Sequence, residues 1–347
     1  MNKWLLFLTL ALVPLAAQPF SCGKIEVGGS ALYLRPTGCE FPYAITDGRP
    51  FVDWQRDDAR LPQGNHREID PDYAWGFRVL LGYQWDCSDL RLLYSRLHSE
   101  DTGEQSAPFW PSLAHPLYQG LVSSAAGTFA QSPLFPEGRV RSRVDFEYDA
   151  IDLEYAQRSC RGQCLKLRSY IGLHLADILL RFRADYSGVL GPDDPITATA
   201  TTSTRCKQCS WGIGPIVGTE GRYGIGRGFE LVGKGALGVL AGKRDGNIFS
   251  QDVREWMGMD APEDVNAMLL FHMEERNIVV PVIRVAFGID YPFCLCRLPG
   301  VLELAYEYST YINALQILHF NDRRGTSVAE CQSFNLNGLT LSLRVIL

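Results

Sequence analysis

Apolar and polar residues alternate along much of the chain, which is the period-two pattern of β-strands with two different faces. The clearest stretch runs from Trp75 to Asp86, where aromatic and aliphatic residues fall on every odd position and Gly, Arg, Gln and Asp fill most even ones. Similar alternation recurs over residues 283–291, 302–309 and 339–347. The pattern therefore predicts an all-β protein.

The charged residues between the apolar ones distinguish two architectures. A soluble sandwich packs its apolar face into one core, whereas a membrane barrel turns that face to lipid and encloses polar side chains in a lumen. Trp75 and Trp85 stand at the two ends of one apolar face. Ten steps of about 3.3 Å, tilted by about 40°, project to about 25 Å, the height of an outer-membrane apolar band. The stretch favours the barrel.

Long and short connections alternate between the predicted strands. Those after odd-numbered strands are long and those after even-numbered strands are short, as in outer-membrane barrels with long external loops and short periplasmic turns. We therefore predict a transmembrane antiparallel β-barrel of about 10 strands, or 12 if one pair is missed. The predicted strands are 24–35, 74–86, 88–98, 143–157, 164–186, 206–222, 228–243, 277–291, 299–312 and 334–347.

Three segments depart from simple alternation. After Tyr148 the apolar residues move from even to odd positions, and a similar change falls near Ala176, so we interpret both as bulges. Residues 251–273 lie in a long loop and are predicted to contain a short helix at the barrel mouth.

The first twenty residues indicate export. A basic Lys3 precedes an apolar run over residues 4–15 and then small residues, which is typical of a secretory signal. We expect residues 1–20 to be removed and residues 21–347 to form a single barrel. The net charge of −6 argues against a nucleic-acid surface.

All ten cysteines follow this signal, so in an exported protein we interpret them first as disulfide or crosslink formers. Five fall at the predicted periplasmic end, where they could link to other envelope proteins. A four-thiolate zinc site is the alternative for two Cys pairs, but the topology places those pairs at opposite ends of the barrel. The cysteines are Cys22, Cys39, Cys87, Cys160, Cys164, Cys206, Cys209, Cys294, Cys296 and Cys331.

No catalytic or cofactor constellation is found. Gly233–Gly238 matches G-x-G-x-x-G, but it lies inside an alternating stretch, where strand glycines are the simpler reading. The six His residues lack metal-ligand spacing. Asp145, Glu147 and Asp149 share one strand face and form an acidic ladder rather than paired catalytic acids. We therefore predict no enzyme activity, no cofactor and no metal.

The predicted inward charges are nearly balanced, and such charges require partners or water. The acidic ladder is expected near the external mouth, where it would favour cations. The predicted pore-lining residues are Arg78, Gln84, Arg91, Asp145, Glu147, Asp149, Lys166, Arg168, Glu230, Lys234, Arg284, Asp290, Glu303, Glu307 and Arg344. The predicted lipid-girdle aromatics are Trp75, Tyr83, Trp85, Tyr291, Tyr306 and Tyr308.

The central and closing strands resemble a known family. The chain resembles the Legionella-type major outer membrane protein family, which also occurs in chlamydia-like bacteria. The resemblance is good over about residues 140–347 and loose before them. It implies a pore-forming barrel in the bacterial outer membrane. In its ten cysteines the chain resembles the proteins of the cysteine-crosslinked envelopes of chlamydia-like bacteria. The segments that carry the resemblance are Gly212–Gly218, Gly221–Tyr223, Phe229–Gly235, Arg284–Tyr291, Leu304–Tyr308 and Gly338–Arg344.

These features together predict a porin-like protein for ions or small solutes. A barrel of this size lies between one filled by side chains and one with an aqueous channel. Two alternatives stay open: a structural or adhesive, cysteine-crosslinked barrel without an open channel, and a secreted soluble β-sandwich enzyme. The expected partners are outer-membrane lipid, further copies of the chain and disulfide-linked envelope proteins, with no nucleic acid.

Overall fold

The computed structural model describes residues 23–38, 41–48, 65–107, 112–114, 122–123, 129–130, 137–161, 165–190, 197–257, 265–295, 298–320 and 327–347. The predicted signal at 1–20 lies outside them. The strands are β1 (Lys24–Thr37), β2 (Phe41–Gly48), β3 (Asn65–Ile69), β4 (Ala74–Trp85), β5 (Ser88–Ala107), β6 (Ser112–Ala114), β7 (Val122–Ser123), β8 (Phe129–Ala130), β9 (Glu137–Arg161), β10 (Leu165–Leu190), β11 (Thr197–Gly226), β12 (Phe229–Met257), β13 (Val265–Leu295), β14 (Leu298–Phe320) and β15 (Ser327–Ile346).

Ten of these strands close into one antiparallel barrel. Its order is β1-β15-β14-β13-β12-β11-β10-β9-β5-β4, and β1 pairs with both β15 and β4 to complete the ring. Two small sheets, β3-β2-β6 and β7-β8, lie outside the ring order. Among the residues described, no helix is long and apolar enough to cross a membrane. The predicted ten-stranded barrel is confirmed.

The strands extend much further at the external end than the sequence predicted. β11, β12 and β13 contain 30, 29 and 31 residues, and pairing continues up to Arg254 with Val265. The helix predicted within 251–273 is wrong over the described residues, which belong to β12 and β13, and residues 258–264 lie outside them. The ladder gives these backbone groups partners that a solvated loop would have to find in water.

An apolar band surrounds the outer face of the barrel near its short-turn end. Leu173, Leu237 and Leu304 are among its exposed aliphatic residues. Aromatic rings mark both edges of the band, with Tyr33 and Trp75 4.8 Å apart at one and Phe229 and Tyr291 5.1 Å apart at the other. The six predicted girdle aromatics, Trp75, Tyr83, Trp85, Tyr291, Tyr306 and Tyr308, all lie on this outer face.

The phase of alternation does not change in β9 and β10, so the two predicted bulges are wrong. The β9–β10 pairing is continuous from Leu165–Arg161 to Val189–Glu137. Even residues of β9 face inward throughout, from Val144 to Glu154. What changes along the strand is the chemistry of the inward face, which is apolar above the band and charged within it.

The barrel interior as the candidate functional site

The periplasmic half of the interior is filled by ion pairs that cross between strands. Arg91 on β5 contacts Glu26 on β1 at 2.9 Å and Glu220 on β11 at 3.5 Å. Arg168 on β10 lies 2.8 Å from Asp89 on β5, which is completely buried. These contacts join strands two or three places apart in the ring, and Glu220 also lies 3.9 Å from Arg344 on β15, four places from β11. Side chains therefore span the lumen at this level.

A second group of ions lies beside the first. Arg344 near the end of β15 donates to Glu303 on β14 at 2.9 Å, and Lys234 on β12 pairs with the same carboxylate. Arg222 on β11 donates to Asp290 on β13 at 2.7 Å. Glu303 and Asp290 each form ion pairs with two bases, and Arg344 is common to both. The network is therefore a connected layer rather than a set of isolated pairs.

A polar cluster separates this charged layer from the external half. Arg284 donates to Asp152 at 2.5 and 3.0 Å, and Asp152 also contacts His174 Nδ1 at 2.8 Å. His174 Nε2 lies 3.0 Å from the hydroxyl of Tyr311, which lies 2.6 Å from the hydroxyl of Tyr148. The chain of contacts thus passes from ionised groups to aromatic rings.

The external half of the interior is mainly apolar. Phe146, Tyr148, Tyr311 and Phe334 form a ring cluster with centroids 5.7 to 6.2 Å apart. The layer, which we call the apolar layer, is buried and lies above the charged layer. Its other members include Leu32, Leu34, Leu97, Val140, Val144, Ile178, Leu180, Phe182, Tyr186, Leu240, Val280, Val282, Leu315 and Leu336.

Two external segments pack into the mouth above this layer. Tyr43 on β2 belongs to the buried apolar core, and its carbonyl accepts a hydrogen bond from the Tyr186 hydroxyl. Gly103 on β5 leaves room for it, since a Cβ there would lie 2.9 Å from the Tyr43 ring. The second segment is the external part of β14, where Leu315 is fully buried. The mouth is closed by packed protein.

A cavity of about 130 Å³ remains between the two layers. Arg78, Asp152, Arg284 and Glu307 are among its lining residues, and Tyr148 lies on its external side. Arg78 donates two hydrogen bonds to Glu307, at 2.9 and 3.0 Å. The cavity has room for a few waters or one small ion beside groups that are already paired.

Most predicted pore-lining residues face this interior. Lys166 and Glu230 pair at 2.6 Å at the periplasmic rim, where Lys166 is exposed. The rest lie deeper and are buried or half-buried. These inward residues are Arg78, Gln84, Arg91, Arg168, Lys234, Arg284, Asp290, Glu303, Glu307 and Arg344.

The acidic ladder Asp145, Glu147 and Asp149 faces outward, contrary to the prediction. The neighbouring even residues of β9 occupy the inward face. The error followed from assuming that acids always face the lumen, which fails where the wall rises above the apolar band and its outer face meets water. The cation preference assigned to the ladder loses its basis.

Outward placement also explains the contacts of the ladder. Arg181 donates to Glu147 at 2.5 Å and to Asp145 at 3.3 Å. His98, Asp145 and Glu147 have potential metal-ligand atoms within 4.8 Å of one another. Because Arg181 already supplies a positive charge to both carboxylates, we assign no metal to this group.

Two acids at the centre of the charged layer were absent from the predicted set. Glu26 and Asp89 are both almost completely buried. Glu26 stands between Ile25 and Val27, so strict alternation in β1 was the signal that could have found it. Asp89 adjoins a short turn and carries no comparable signal.

The described cysteines are free thiols and two of them are on opposite faces of β11. Cys206 packs against the inward apolar core, whereas Cys209 donates to Asp177 on the outer face at 3.5 Å. Burial raises the pKa of each of these thiols, which lie above the band, to about 12. Opposite faces and a disfavoured thiolate both argue against a shared zinc ion. Cys87, Cys294 and Cys331 are exposed, and the side chains of the other five lie outside the described set.

An outward apolar band with aromatic edges, enclosing an ionised interior, defines a transmembrane β-barrel of the outer-membrane type. The model of the family described as Legionella pneumophila major outer membrane protein precursor matches residues 17–347. The chain belongs to this family and is an outer-membrane protein.

Solved structures share the general architecture at low identity. The outer membrane protease OmpT from Escherichia coli is 11% identical, with 96% of this chain and 99% of that chain covered and a TM-score of 0.42. The Pseudomonas putida toluene transporter TodX is 7% identical, with 95% and 90% covered and a TM-score of 0.25. The outer membrane channel DcaP of Acinetobacter baumannii is 9% identical, with 94% and 96% covered and a TM-score of 0.16. No curated protein matches. None of these likenesses bears on what this chain does.

Proposed function

We propose that the protein forms a narrow pore through which ions and other small solutes cross the outer membrane. The observation that carries the proposal is the set of ionised side chains that face inward at the level of the apolar band. Charges at membrane depth are costly and are tolerated beside partners or water, so they mark ion and solute pathways. Membership of a major outer membrane protein family supports the same role.

The ion-paired charges of the band and its periplasmic rim are balanced, which favours a pore with little preference between cations and anions. Nine bases pair with nine acids among them. The bases are Arg78, Arg91, Arg158, Lys166, Arg168, Arg222, Lys234, Arg284 and Arg344, and the acids are Glu26, Asp89, Asp152, Glu154, Glu220, Glu230, Asp290, Glu303 and Glu307.

The packed mouth makes the conducting state a minor one. We therefore expect small, brief current steps from the refolded protein in a planar bilayer. Phe334→Ala removes a fully buried ring from the apolar layer and should lengthen and enlarge the steps. Phe229→Ala removes a ring from the outer face and is the matched control. The absence of current steps from both the native chain and Phe334→Ala would overturn the pore.

A structural barrel without a channel is the second candidate, and the filled mouth favours it. In this role the exposed thiols of Cys87 and Cys294, both near the short turns, would join the barrel to further copies or to other envelope proteins. The apolar band would contact lipid in either role. Silent bilayers, together with reductant-sensitive high-mass species on gels of isolated outer membranes, would establish this role in place of the pore.

A further inference from the structure

The external part of β13 has an unpaired edge among the described residues. β13 begins at Val265, but its pairing with β14 starts only at Val282, which lies opposite Tyr311. Residues 265–281 therefore pair with β12 on one side and have no strand of the described barrel on the other. Such an edge presents a row of free backbone donors and acceptors.

β14 leaves the barrel wall where this edge begins. Its ladder with β15 is interrupted between Tyr311 and Leu315, and Asn313 within the break has φ 58°. Asn is among the few residues that adopt this left-handed conformation readily. The break turns the following residues of β14 away from β13.

Wall residues from two other strands hold the displaced part of β14 inside the mouth. Arg244 on β12 donates to the carbonyls of Asn313 and Leu315, each at 3.2 Å. Gln208 on β11 is fully buried, and its Oε1 accepts from the backbone N–H of Gln316 at 3.2 Å. β11 and β14 are three places apart in the ring. The backbone of β14 therefore leans into the mouth at this level.

The displaced part of β14 can pair with the free edge of β13 by continuing the register of the existing β13–β14 ladder. The β13–β14 ladder runs from Leu295–Leu298 to Val282–Tyr311 without a shift. Its continuation would place Pro281 opposite Ile312 and Arg276 opposite Ile317. β14 extends to Phe320, so it is long enough to cover the part of the edge nearest the ladder.

We propose that the external ends of β14 (residues 312–320) and β15 (residues 327–333), which we call the hairpin, are the gate of the pore, and the inference rests on the proposed pore function. In the closed state, which the structure shows, Ala314 and Leu315 of the hairpin are buried in the mouth, and the β13 edge has no partner among the described strands. In the open state β14 straightens at Asn313, pairs with β13 in the continued register and withdraws Leu315 from the mouth. New ladder hydrogen bonds offset the apolar burial that is lost, which is the requirement for two states of similar free energy.

A disulfide across the open register tests the gate directly. The variant Arg276→Cys/Ile317→Cys places two thiols opposite each other only when the hairpin lies against β13. Mild oxidation of the refolded variant should form this bond, identified by the mass of the linked peptides, and should hold the pore open until reductant is added. The control variant Asn277→Cys/Ile317→Cys shifts one thiol by one residue onto the other face and should neither link nor change the current.

Two single variants test the hinge without a crosslink. Asn313→Val disfavours the bent state, because a β-branched residue resists a left-handed conformation, and should raise the open probability about tenfold. Arg244→Met removes the donor to both β14 carbonyls and should also raise it. Lys207→Met, on an exposed residue of the outer face of β11, is the matched control and should leave it unchanged.

The results separate the gate from the pore. If the native protein conducts but the Arg276–Ile317 pair does not link, the gate is wrong and the pore stands. If the pair links and no variant conducts, the hairpin moves but the protein is not a pore. Crosslinks between two copies through Arg276→Cys would show that the edge joins subunits, and this would overturn the gate.

Discussion

The apolar band and the part of the barrel above it, which we call the external extension, are built from the same strands. The polar side chains face inward in the band and outward in the extension. Within the band, β10 turns Leu173 outward and His174 inward, whereas above it the same strand turns Arg183 outward and Phe182 inward. No change of phase separates the two regions. The lower region is arranged for lipid outside and polar groups inside, and the upper region is arranged like a soluble barrel around an apolar core.

The difference shows that the surroundings of a barrel wall decide which face is polar. Lipid admits few charges on the outer face, so the charges of the band are inside. Above the band, water surrounds the wall and a mouth packed with rings excludes it from the interior. A sequence pattern of alternating charges therefore does not identify the lumen until the level of the residue is known.

The largest effect is expected from breaking the buried ion cluster of the band. Asp152→Ala leaves Arg284 and His174 without their carboxylate partner and should lower the free energy of unfolding by about 3–5 kcal/mol. Asp185→Ala removes an exposed partner of Arg183 in the extension and should cost less than about 1 kcal/mol. Urea unfolding in lipid vesicles measures both, and equal losses would contradict the contrast between the regions.

A smaller effect is expected from placing one charge on the outer face at each level. Leu173→Arg inserts a guanidinium into the apolar band and should cost about 2–4 kcal/mol if the site is near the bilayer midplane. Ser187→Arg makes the change on the outer face of the same strand, in the extension, and should stay within about 0.5 kcal/mol. The same unfolding assay applies. A large loss at Ser187 would place lipid around the extension.

Sequence reasoning recovered the parts of the fold that depend on local pattern. The odd-position aromatics of β4 were enough to predict an outward apolar face, and the short turns were enough to order the strands. The acidic ladder of β9 was misplaced, because Asp145 and Asp152 differ in phase and only the three-dimensional level explains both. The break at Asn313 was also missed, since it depends on contacts that Arg244 and Gln208 make from distant strands.

Thiol reactivity separates the inward face of the extension from the barrel surface. Burial raises the pKa of Cys206 to about 12, so its thiolate is scarce at pH 8, whereas Cys87 and Cys294 are exposed. A maleimide should label Cys87 and Cys294 within minutes and Cys206 only at strongly alkaline pH or after unfolding. Peptide mass analysis gives the readout. Fast labelling of Cys206 in the folded protein would mean that water reaches the inward face of the extension.

The smallest expected effect is the reversal potential of the pore in a salt gradient. The band contributes equal numbers of inward bases and acids, and the ladder containing Asp145 and Glu147 faces outward. The potential should therefore lie close to zero, and Glu147→Gln should not move it. Glu307→Gln removes an acid that faces the cavity beside Arg78 and should shift selectivity toward anions. A cation-selective native pore that loses its selectivity in Glu147→Gln would place the ladder in the conduction path and reverse the assignment of the two faces.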